Sequence, residues 1–64
     1  MTKRELVNAL ISEMENFGET FIGTAEVQGM AVVNLYKKLN KEVGKRNPGE
    51  VVCWNAESGM AWIA

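Results

Sequence analysis

Five basic residues crowd into positions 37 to 46, namely Lys37, Lys38, Lys41, Lys45 and Arg46, with Glu42 the one acid among them. On an α-helix, positions four apart stack along one side, so Lys37, Lys41 and Lys45 form a row of ammonium groups able to follow the phosphates of a nucleic acid. No aromatic side chain is interleaved between these lysines for base stacking. A lysine row opposite an apolar stripe is also how an ordinary surface helix looks. Nucleic-acid binding through these five residues is therefore the second reading of function rather than the first.

The remaining candidates for chemistry are few. Cys53 is the only cysteine, which excludes an internal disulfide and a cysteine-rich zinc site and suits a reducing compartment. It falls mid-strand among apolar neighbours with no base beside it in sequence, where a thiol packs rather than reacts. Glu13 and Glu15 point about 160° apart on a helix, so they do not converge for acid–base work or for a metal, and Glu19 lies beyond that helix. The chain contains no histidine and no aspartate. Ser-His-Asp and Cys-His catalysis, histidine-ligated zinc and aspartate-rich calcium loops are all absent for want of their residues. Its glycines never approach the spacing of a dinucleotide or phosphate loop. The expectation is a protein that is not an enzyme and uses no cofactor and no metal.

Length and composition set the frame for what positions these residues. Sixty-four residues allow one domain, residues 1–64, and a domain of this size buries only about 60% of its unfolded surface. With 47% hydrophobic and 23% charged residues the chain should fold. A net charge of −1 gives no global attraction to polyanions, so any electrostatic function needs local clustering. Residues 1–27 hold five glutamates against Lys3 and Arg4 while the basic cluster lies further on, which implies a charge dipole. No uncharged run approaches the ~18 residues of a membrane span, and Asn8, Ser12, Glu13 and Glu15 interrupt any signal-peptide core. A cytoplasmic protein without membrane contact is expected.

Two helices are legible from periodicity. Thr2-Lys3-Arg4-Glu5 has the form of a capping box. Leu6, Val7, Leu10, Ile11, Met14 and Phe17 then share one helical side, with Gly18 as the cap. A second helix is predicted from about Gly29 to Val43, with Val32, Leu35, Tyr36, Leu39 and Val43 on its dry side and Gly44 as its cap. Between them, Glu19 to Val27 alternates as a strand does, and the competing reading starts a helix at Thr24. Asn47-Pro48-Gly49 reads as a turn.

Glu50 to Ala64 reads as a hairpin closed at Gly59, with Ala56 opposite Met60 and therefore Trp54 opposite Trp62. Val52, Trp54, Met60 and Trp62 would then share one face, and Val51, Cys53, Ala61 and Ile63 the other. Both faces are apolar, yet two helices and about three strands usually cover only one. The predicted fold is a small α+β domain in the order α-β-α-β-β, with two helices packed on a short, mainly antiparallel sheet; two or three helices with a single hairpin is the runner-up. The surplus of apolar strand surface points to a regulator or inhibitor that binds another protein, or a second copy of itself. Its expected contact residues are Val52, Trp54, Met60 and Trp62, with Met30 and Val33 as a second contact surface off the dry stripe of the second helix. Paired tryptophans are also a possible ligand platform, although a small core has its own need for them.

Overall fold

The computed structural model describes residues 2–64. The chain runs α1 (Lys3–Phe17), β1 (Thr20–Phe21), α2 (Ala25–Gln28), α3 (Met30–Arg46), β2 (Val52–Trp54) and β3 (Met60–Ile63). The three strands form one antiparallel sheet in the order β1-β3-β2, so the final strand sits at the centre. This is the α+β architecture expected from the sequence, with the short α2 added.

Local chemistry sets most of the boundaries. The Thr2 hydroxyl accepts from the Glu5 amide at 3.1 Å and starts α1, and Gly18 in the left-handed conformation ends it, as predicted. The expected strand from Glu19 to Val27 is cut to two residues. Past Phe21 and Ile22 the chain turns at Gly23, and the Thr24 hydroxyl accepts from the Val27 amide at 3.3 Å to open α2. Both readings of this segment therefore hold in part, a strand first and a helix from Thr24 onward. Gly29, at φ 54° and ψ −128°, then separates α2 from α3. A residue with a Cβ would strain there, so this glycine breaks one helical run into two.

The second long helix outlasts its predicted end. It passes through Gly44 and stops at Arg46, because Pro48 excludes the helical conformation at Asn47, which sits at φ −136°, ψ 89°. Gly44 is thus an interior residue, close to the Glu50 carbonyl of the following turn. That turn forms as expected, with the Glu50 amide donating to the Asn47 carbonyl at 3.0 Å.

Both long helices lie on the same side of the sheet. Val7, Ile11 and Met14 of α1, Val32, Leu39 and Val43 of α3, and Ile22, Val52 and Ala61 from the strand layer make the core; Leu10, Leu35, Tyr36, Trp54 and Ile63 pack around it. The dry stripe of α3 is as predicted. The stripe of α1 is trimmed at its margins, where Leu6 is partly exposed and Phe17 is 78% exposed.

Candidate functional site

The hairpin register decides what the sheet offers to solvent. Val52 lies opposite Ile63, Cys53 opposite Trp62 and Trp54 opposite Ala61, one residue away from the register predicted from the sequence. The reason lies in the turn. Asn55 pairs with Met60, its amide donating to the Met60 carbonyl at 2.9 Å, and its side-chain oxygen accepts from the amides of Glu57 and Ser58. Ala56 is thereby drawn into a four-residue loop closed by Gly59 at φ 82°. Because side chains alternate along a strand, a slip of one residue exchanges faces.

Val52, Trp54, Ala61 and Ile63 consequently share the inner face with Thr20, beneath the helices. Thr20 is buried and donates to the Glu13 carboxylate of α1, which ties β1 to the helix layer and gives Glu13 a structural partner. Trp54 donates through Nε1 to the Gly23 carbonyl at 3.0 Å, and its ring lies 5.8 Å from that of Tyr36. The two tryptophans therefore do not form a platform. Of the four hairpin residues expected at a contact surface, Val52 and Trp54 belong to the covered side.

Met60 and Trp62 are on the other side, together with Cys53, with Phe21 of β1, which lies opposite Met60, and with Val51, which extends the ladder just before β2 by pairing with Ala64. Neither α1 nor α3 covers this face. Phe21 is 58% exposed, Val51 49% and Trp62 37%, while Met60 and Cys53 are half-buried. Phe21 was not anticipated, since its place on the face depends on β1 pairing with β3. Its ring edge, at Cε1, fills the space where a Cβ on Gly59 would fall. Met30, 66% exposed, and half-buried Val33 belong to α3 and so stand apart from this face.

The outer edge of β2 is less available than its face. The Val52 amide points away from β3 and is taken by the Asn40 side chain of α3, whose Oδ1 accepts at 2.9 Å. An incoming strand would find that donor already used. Between the start of α2 and the hairpin turn, where the Ala25 amide donates to the Ala56 carbonyl, Glu26 and Glu57 line one shallow hollow with Thr24, Ala25 and Ala56.

The basic residues collect elsewhere. A groove of about 490 Å³ runs between the start of α1 and the last turns of α3, and Lys38, Lys41, Lys45 and Arg46 of the predicted cluster line it. Lys37 does not. Lys3 and Arg4, from the other end of the sequence, complete the lining, so six of the seven basic residues of the chain border one hollow. Sequence spacing could not reveal this, because only the packing of α1 on α3 brings the two groups together.

Compared with known proteins, the chain matches no family model, no curated protein and no solved structure. Among the described residues, no helix is long and apolar enough to cross a membrane.

Proposed function

We propose that this protein is a small regulator or inhibitor that works by binding another protein on the open face of its sheet, without catalysis. The observation that carries this reading is the outer face itself, where Phe21, Val51, Cys53, Met60 and Trp62 form an apolar surface on strands whose other side is the core. A sheet with one wet face ordinarily alternates apolar and polar residues, and large exposed apolar patches mark interaction sites. Tryptophan, phenylalanine and methionine are also the residue types enriched where proteins meet.

Charge favours a different protein over a second copy. The charged side chains within three residues of the strands in the sequence are Glu19, Glu50 and Glu57, all acidic, and Glu26 shares a hollow with Glu57, so two copies meeting face to face would bring like charges together. A partner with an apolar patch and a basic rim fits better. Asn40 on the β2 edge further favours docking on the face over strand addition.

The test begins with the mass of the purified protein in solution, expected to be that of a monomer. Partner capture is then compared between wild type, Phe21→Glu and Trp62→Glu, with melting curves to confirm that each variant folds. Loss of the same partner in both folded variants supports the reading. A stable dimer that Trp62→Glu dissociates, or a partner retained by both variants, overturns it.

A further inference from the structure

We infer that the groove between the start of α1 and the last turns of α3 binds the phosphate backbone of a nucleic-acid duplex without reading its bases. Lys3 and Arg4 stand on one wall and Lys38, Lys41, Lys45 and Arg46 on the other. Glu42 is the single carboxylate in the lining among the described residues, and it accepts from Arg46 Nε at 3.0 Å. Arg46 also donates through Nη2 to Asn8 of α1, which fixes its guanidinium between the two helices. The Arg46–Glu42 pair is the only salt bridge among the described residues. Among the described residues, Lys3, Arg4, Lys38, Lys41 and Lys45 thus have no carboxylate partner, and they gather around one hollow in a chain of net charge −1.

Concentrating like charge in a concavity raises the local potential and attracts a polyanion despite the neutral balance of the whole chain. The form of the groove selects among polyanions. Two cationic walls suit a rod-like backbone lying between them, whereas a flat anionic membrane would meet only the rims. Among the described residues, Val7 is the one apolar residue of the lining, and it is buried, with little surface to insert into lipid. Among the described residues the lining holds no aromatic ring on which unstacked bases could rest, so a duplex fits better than a single strand. Lysines act as point charges towards phosphates and carry no base-reading geometry, which makes the binding independent of sequence.

The experiment is a titration of a fluorescent duplex of about 20 base pairs with the full chain, by anisotropy, at 50 and 200 mM salt. With four or five phosphates neutralised, affinity should fall roughly 150- to 500-fold between those salt concentrations. The double variant Lys3→Gln/Arg4→Gln should weaken binding tenfold or more at about 50 mM salt, and Lys41→Gln/Lys45→Gln similarly, since each removes about two phosphate contacts. Lys37→Gln, outside the groove, should change it less than twofold, about the limit of a distant charge. Glutamine is nearly as good a helix former as lysine or arginine, and melting curves verify that each variant folds. The inference is overturned by any of four results: no salt-sensitive binding, a Lys37 effect equal to that of Lys3 and Arg4, equal affinity for single strands, or displacement of the duplex by inorganic phosphate or anionic lipid vesicles at matched ionic strength.

Discussion

On the inner face of the sheet Thr20, Val52 and Ala61 are buried beneath α1 and α3, whereas on the outer face Phe21, Val51 and Trp62 keep contact with solvent. Both sets come from the three strands and the residue just before β2, and large side chains stand on both faces, Trp54 on the inner one. Small or branched side chains fill much of the protected side, and the larger Phe21, Met60 and Trp62 stand on the side that no helix covers. Packing explains the first set, because helices can approach a sheet closely only over modest side chains. It does not explain the second. What the contrast teaches is that inner residues hold the fold together while outer ones are free to answer to something outside it.

Substitutions can break that contrast or sharpen it. The largest effect is expected on the inner side, at Leu39 of α3, which is fully buried. Leu39→Ala should cost about 2–5 kcal/mol, enough to unfold much of so small a domain, as read by denaturant titration. Asn40→Ala would leave the Val52 amide without its acceptor and should cost about 1–3 kcal/mol by the same measurement. Trp54→Phe keeps most of the ring but loses the bond to the Gly23 carbonyl, for about 1 kcal/mol. Trp62→Thr on the outer face should cost about 1 kcal/mol, well below Leu39, because the indole is 37% exposed and loses only part of a core residue's burial. A cost at Trp62 as large as that at Leu39 would mean that the two faces are not different in kind.

Gly59 joins the two sides of the contrast. Its positive φ closes the hairpin, and the Phe21 ring occupies the space a Cβ would need. Gly59→Ala should therefore cost about 1–3 kcal/mol, from backbone strain and displacement of that ring together. In a Phe21→Ala background the penalty should shrink, and a double-mutant cycle measures the difference.

Much of the fold was legible in the sequence because helical periodicity reports burial directly: Val32, Leu35, Tyr36, Leu39 and Val43 all turned inward. The hairpin was legible as a hairpin but not in register. Whether Ala56 belongs to the strand or the loop depends on Asn55 bonding the amides of Glu57 and Ser58, and moving that one residue exchanges Trp54 and Val52 for Phe21 and Cys53 on the open side. Local alternation also concealed the turn at Gly23 and the helix that Thr24 caps. The cationic groove was half legible, since Lys38, Lys41, Lys45 and Arg46 are close in sequence. Lys3 and Arg4 join them only through tertiary packing.

The central place of β3 bears on how the molecule comes into being. β1 and β2 do not touch; each pairs only with β3, which follows every other element in the chain. A nascent chain emerging in order therefore carries two strands without partners until Met60 to Ile63 appear, and closing β1 on β3 spans some forty residues, at a loop-entropy cost of a few kcal/mol. Helices can form early and locally, but the sheet cannot grow strand by strand. Folding should be a single late event, and until it occurs Phe21 and the apolar residues of β2 remain open to whatever lies nearby.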